Sequence, residues 1–250
     1  MGILANAAAE ITLPMFKKPV DVINKGKKFQ LNFDPVTKAD RQSEKVISTL
    51  ISEAYPDHNI LGEEHGAVQN SESSHTWVID PIDGTRAYIC GIPTWGTLVA
   101  LGNRGGPVIG MLDQPYLKER YIGTPEGSYL NGTRISCRPC TELSQATLST
   151  TDPTQFFACD EDLQAFRRVA AKVRLVRNGY DCYAYAMVAA GFIDVVIESG
   201  LEPYDIQALI PIVEGAGGII TNWTGGSAAN GGQVVASATQ ELHEQVLSLL

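Results

Sequence analysis

The apolar run Trp77-Val78-Ile79, stopping at Asp80-Pro81-Ile82-Asp83-Gly84-Thr85, constrains this chain more than any other stretch. A short apolar run bounded by a turn signal predicts a buried strand. Pro81 has no N–H to give to a sheet ladder, so the strand is expected to end at Asp80. Gly84 lets the backbone turn sharply and lets another group come close. Asp80 and Asp83 stand three residues apart across that turn, so both carboxylates can converge on one point. Two unpaired carboxylates there would repel and shift each other's pKa. A hard divalent cation removes the conflict, and Mg²⁺ takes a few carboxylates together with water and phosphate oxygens. Free amides from Gly84 onward, at a helix start, would attract an anion. A plainer reading, in which Asp80 and Asp83 only shape a turn and cap a helix, stands beside this one.

Composition narrows the class. The 250 residues are 44% hydrophobic and 19% charged, which suits one large soluble domain or two small ones sharing a core. A net charge of −9 argues against a general nucleic-acid binder or a ligand of acidic membranes. It does not argue against an anionic small molecule, because bound cations would dominate the local field. No apolar run approaches the roughly 18 residues of a membrane span. The first 19 residues, broken by Asn6, Glu10 and Pro14, do not read as a secretory leader. Five cysteines without framework spacing predict reduced thiols in a cytoplasm-like compartment. Cys137-Arg-Pro-Cys140 lacks the second pair of ligands that a structural zinc site requires.

Along the chain, helical spacing over Met1–Phe16 gives way to a basic run, Lys25-Gly-Lys-Lys28, read as a solvated hairpin or a loop beside an anionic pocket. Val46, Ile47, Leu50 and Ile51 predict an amphipathic helix that Asp40 opens and that ends before Pro56. Gly62-Glu63-Glu64-His65-Gly66 reads as a turn. Apolar strands with turn signals follow to about residue 140, an α+β half with an antiparallel sheet, residues 1–142. From residue 143 to 250 strands alternate with helices, a layered α/β half, with one helix predicted over Asp205–Gly215. No linker separates the halves, so they are expected to pack as one unit with the site in the cleft.

Asp80-Pro-Ile-Asp-Gly-Thr85 after an apolar strand resembles the signature of the inositol monophosphatase superfamily of Mg²⁺-dependent phosphatases. Gly62-Glu63-Glu64 resembles its preceding acidic motif. Tyr204-Asp205, with Glu214-Gly-Ala-Gly-Gly218, is similar to its second signature. Three positions depart from the common pattern: His65 replaces a Ser, Tyr204 a Trp, and Gly215 stands beside Ala216. The resemblance implies a layered αβαβα sandwich of the sugar-phosphatase type. It also implies two or three Mg²⁺ ions held by Glu63, Asp80, the Ile82 carbonyl, Asp83 and Asp205. Thr85, oriented by Asp40, would aim the attacking water, and Gly84 would lie against the phosphate. The implied partner is a small phosphate monoester, with no nucleic acid and no membrane, in a homodimer.

Gly179-Tyr-Asp-Cys-Tyr-Ala-Tyr185, Thr85-Arg-Ala-Tyr-Ile-Cys-Gly-Ile-Pro-Thr-Trp-Gly-Thr97 and Leu112-Asp-Gln-Pro115 resemble the histidinol-phosphate phosphatase branch. A substrate carrying an amine and an imidazole asks for acids in its pocket, and Asp181 and Glu198 fit that demand. Arg177 either contacts phosphate or pairs with Asp181. Inositol phosphates and phosphorylated nucleotides or sugars are the rival substrates within this class. A catalytically silent anion-binding protein that keeps the fold is the rival from another class.

Overall fold

The computed structural model describes residues 1–26, 33–70, 72–157 and 159–250. Two large sheets and three helical layers alternate. The helices Gly2–Met15 and Lys38–Ala54 pack on each other and on the outer face of the first sheet, where Ile47, Ile51, Trp77, Ile79 and Val99 form one core. The helices Tyr183–Ala189 and Leu209–Gly215 lie between the sheets. Their core joins Leu98 and Leu112 of the first sheet to Val196 and Val234 of the second. Beyond the second sheet, Phe166 and Val169 of the helix Asp160–Ala170 and Leu242 and Val246 of the helix Gln240–Leu247 pack on Val195, Ile197 and Val235. The order is αβαβα, and the middle layer makes the two halves one unit. This is how each apolar face finds a partner.

The first sheet has eight strands and is mixed. Thr76–Asp83 runs antiparallel to Gly96–Asn103 but parallel to Asn59–Gly62, where a wholly antiparallel sheet is expected from the sequence. The strand Gly66–Val68 runs back antiparallel along Asn59–Gly62, so Thr76–Asp83 can pair with the latter in parallel without a hairpin. Nor does Pro81 end its strand. The ladder shifts register between Asp80 and Asp83 and then resumes, so the proline sits in a bulge where its missing N–H leaves no gap. The bulge turns Asp80 and Asp83 toward a common side.

The second sheet has five strands. Thr147–Thr150 pairs in parallel with both Leu175–Asn178 and Val195–Leu201, and Gly232–Ser237 closes it antiparallel against Val195–Leu201 and Ile219–Asn222. The helix expected over Asp205–Gly215 is two pieces, Pro203–Ile206 and Leu209–Gly215. Pro211 cannot donate to the Gln207 carbonyl, so the ladder is interrupted there. Among the basic run, Lys27 and Lys28 lie outside the described residues.

Candidate functional site: an acidic cavity at the ends of both sheets

Asp80, Asp83 and Asp205 each offer an oxygen to one point, all within 4.8 Å of one another. Asp80 is fixed by the Ile82 amide, which donates to its Oδ1 at 3.0 Å across the bulge. Asp83 is fixed from the other half of the chain, its Oδ1 accepting the Cys182 amide at 2.8 Å. Asp205 is not the helix cap its position suggests. Glu202 caps the short helix, and Asp205 returns the bond by accepting the Glu202 amide at 2.7 Å. Burial, and then mutual repulsion with Glu63, Asp83 and Asp205, pushes the Asp80 carboxyl well above its ordinary value. Burial and then Asp205 do the same to Asp83. Such a cluster of hard oxygen donors, penalised when it is charged and unpaired, fits a hard divalent cation.

Glu63 lies beside this cluster, and its Oε1 accepts from Lys25 Nζ at 2.9 Å while Glu64 Oε1 accepts from the same ammonium at 2.8 Å. The loop reading of Lys25 as a neighbour of an anionic pocket therefore holds. Burial alone would lower the Lys25 pKa, but the two carboxylates raise it. The turn carrying Glu63 is shaped by Glu44, a residue that is 1% exposed. Its carboxylate accepts the Glu64 amide at 2.7 Å and the His65 amide at 2.8 Å. A Cβ on Gly62 would stand 2.1 Å from Glu44 Oε1, so that glycine is what lets the carboxylate reach the turn. His65 contacts Glu44 through Nδ1 at 3.0 Å and belongs to this support. Glu44 was missed in the sequence, although it stands one helical turn beyond Asp40 on the same face.

Thr85 opens the helix Thr85–Ile89, and its Oγ1 donates toward Asp40 Oδ1 at 3.2 Å and the Ile82 carbonyl at 3.1 Å. Asp40 is fully buried and completes a capping box with Thr37 at the head of Lys38–Ala54. The capping role and the pairing with Thr85 are thus both met by one carboxylate. Gly84 has φ of +83°, and a Cβ there would stand 3.0 Å from Asp181 Cβ. This backbone must be glycine because Asp181 leans directly over it.

Asp181 itself has a positive φ of +47°, and burial pushes its carboxyl up to about 6. Thr94 Oγ1 approaches it at 3.4 Å. Glu198, in the strand Val195–Leu201, accepts the Thr151 amide at 2.7 Å, the Thr151 hydroxyl at 2.9 Å and the Thr150 hydroxyl at 3.1 Å. Burial nevertheless pushes it up to about 8. Both line the same cavity as the three aspartates. Arg177 does not. It is exposed on the edge strand, and Nε and Nη2 donate to the Tyr180 hydroxyl at 3.3 and 3.2 Å, with no bond to Asp181. The guanidinium that does line the cavity is Arg86, stacked on the Phe156 ring at 4.5 Å and bonded to the Phe33 carbonyl. Its Nη1 is buried with no partner among the described residues. Nothing in the spacing of the sequence separates Arg86 from Arg177; the fold does. All five cysteines are free, Cys137 and Cys140 included.

Fold and site define a layered α/β protein built around a cluster of carboxylates that could hold a metal ion. The chain belongs to the Inositol monophosphatase family, whose profile matches residues 2–250, and it is a phosphatase of that family. Members of the family use Mg²⁺. The bifunctional phosphatase IMPL2, chloroplastic, of Arabidopsis thaliana is 45% identical over 258 residues, covering 99% of this chain and 72% of that protein. A histidinol-phosphatase of Chlorobaculum parvum is 31% identical over 249 residues, covering 99% and 93%. The solved structure of an inositol monophosphatase from Zymomonas mobilis superposes with a TM-score of 0.87 at 37% identity, covering 99% and 94%.

Proposed function

We propose that this chain is a Mg²⁺-dependent phosphomonoesterase that hydrolyses L-histidinol phosphate to L-histidinol and phosphate. The observation that carries the substrate is the pair Asp181 and Glu198. Both line the cavity outside the three-aspartate cluster, Glu198 buried and Asp181 partly so. Among the described residues neither has a cationic side chain bonded to it, although the charge of Arg86 acts on Asp181 from nearby. A cationic substrate relieves the charging penalty of such acids; a neutral polyol does not. The histidinol-phosphatase of Chlorobaculum parvum supports the same reading.

Glu63, Asp80, the Ile82 carbonyl, Asp83 and Asp205 would hold two or three Mg²⁺ ions. When bound, these supply charge neutralisation of the phosphate and a lowered pKa for the attacking water. The chain's own residues do the aiming. Thr85 Oγ1, whose hydrogen is directed at Asp40 and the Ile82 carbonyl, presents its lone pairs to the water and accepts a proton from it. Burial raises the Asp40 carboxyl above its ordinary value, against the opposing bonds from Thr37, which makes it a better acceptor for the Thr85 proton. As the water oxygen bonds to phosphorus, the bond to the substrate oxygen breaks, and that oxygen leaves as the alcohol after taking a proton. Arg86 Nη1, without a partner among the described residues, would meet a phosphate oxygen, a role that Arg177 on its exposed edge strand does not fill. A homodimer in a reducing, cytoplasm-like compartment completes the proposal.

The test is a panel of monoesters assayed with Mg²⁺ and with chelator. Preference for histidinol phosphate over inositol 1-phosphate and nitrophenyl phosphate is expected, with activity lost in chelator. Preference for inositol 1-phosphate would overturn the substrate assignment and leave the phosphatase class standing.

A further inference from the structure

Tyr185 sits in the helix Tyr183–Ala189 and is 3% exposed. It lines the same cavity as Glu198, Asp83 and Asp205, and its hydroxyl has no hydrogen-bond partner among the described residues. The other cavity hydroxyls are engaged. Thr85 donates toward Asp40 and the Ile82 carbonyl, Thr151 donates to Glu198 at 2.9 Å, and Ser199 is bonded to Asp162. A buried hydroxyl facing a cavity without a partner is costly unless something that enters the cavity completes it.

What would complete it follows from its surroundings. Burial, and then the nearby acids Glu198, Asp83 and Asp205, keep the phenol protonated. Around it, the carboxylates can accept hydrogen bonds from a cationic N–H, but when ionised they cannot donate. A substrate with an ammonium and a neutral ring nitrogen needs both kinds of partner. The acids serve the first. The ring nitrogen requires a neutral donor, and Tyr185 is a hydroxyl in that wall whose hydrogen is not already directed at any of the described residues.

We infer that Tyr185 is a specificity-determining residue, its hydroxyl donating a hydrogen bond to an uncharged acceptor in the alcohol half of the substrate, the imidazole nitrogen in the case of histidinol phosphate. This rests on the substrate reading above for the identity of the acceptor, but not for the role of the hydroxyl. Tyr185→Phe removes one oxygen and little else. With Mg²⁺ present, it should lower kcat/KM for histidinol phosphate about tenfold more than for nitrophenyl phosphate, which has no such acceptor at that place. Free L-histidinol should also inhibit the nitrophenyl phosphate reaction of the variant more weakly than that of the wild type. The urea midpoint should not fall, because the removed hydroxyl has no partner among the described residues. If the wild type instead prefers another ester of the panel, the histidinol reading fails, and the same ratio measured with that ester decides Tyr185. Equal loss on the preferred ester and nitrophenyl phosphate, or no loss on either, overturns the inference and leaves Tyr185 a packing residue.

Discussion

Asp40 accepts a hydrogen bond from Thr85 Oγ1 at 3.2 Å through one carboxylate oxygen while the other oxygen accepts the Thr37 amide at 2.9 Å. One buried side chain thereby ties the start of the helix Lys38–Ala54 to the turn that carries the candidate catalytic threonine. Removal of Thr85 should be felt in the transition state. Thr85→Ala is expected to lower kcat by ~10²-fold or more with a smaller change in KM. Asp40→Asn should add little to it, because the two act as one unit, while costing about 1 kcal/mol of stability through the weakened cap. Independent, multiplying effects on kcat would confine Asp40 to capping.

Asp80 is 2% exposed and is crowded by Glu63, Asp83 and Asp205. Asp80→Asn should therefore abolish most turnover without harming the fold. Its metal-free melting temperature should match or exceed that of the wild type, since one repelling charge is gone. The rise in melting temperature with added Mg²⁺, which grows with ligand concentration over Kd, should shrink in the variant. Wild-type kcat in Asp80→Asn would refute the assignment.

Asp181 leans over Gly84 and faces the cavity, so its loss should affect substrate choice. Asp181→Ala is expected to depress histidinol phosphate hydrolysis far more than nitrophenyl phosphate hydrolysis, by a selectivity ratio that reaches roughly 10⁴ in sites that strictly require a polar match. Equal loss on both esters would make Asp181 structural.

His243 is 2% exposed, with Nε2 2.9 Å from Thr221 Oγ1 and Nδ1 3.1 Å from Ser237 Oγ. Burial lowers its pKa, only partly opposed by Glu244 on the same helix. The unfolded chain therefore takes up the proton first as pH falls. The stability tied to this histidine is fully present above its ordinary value of 6.5 and declines below it. Urea midpoints should show wild type and His243→Gln furthest apart at pH 8 and closer at pH 5. A gap that does not change with pH would show that His243 contributes packing alone.

By itself, the sequence determined the features that act over a few residues. The buried strand at Trp77, the Asp-x-x-Asp turn with Gly84, the amphipathic helix after Asp40 and the alternating strands and helices of the second half follow from periodicity and turn chemistry, which are local. Tertiary structure decided which side chains meet. Asp83 is held by the Cys182 amide from 99 positions away, and Lys25 reaches Glu63 across 38. Glu44 enters the turn at Gly62 only because helix and strand are packed at contact distance. Arg86 faces the cavity, and Arg177 the solvent, because one lies in a short helix at the cavity while the other lies on an edge strand. Sheet register and layer packing set those distances, and neither is written in the spacing of any one segment.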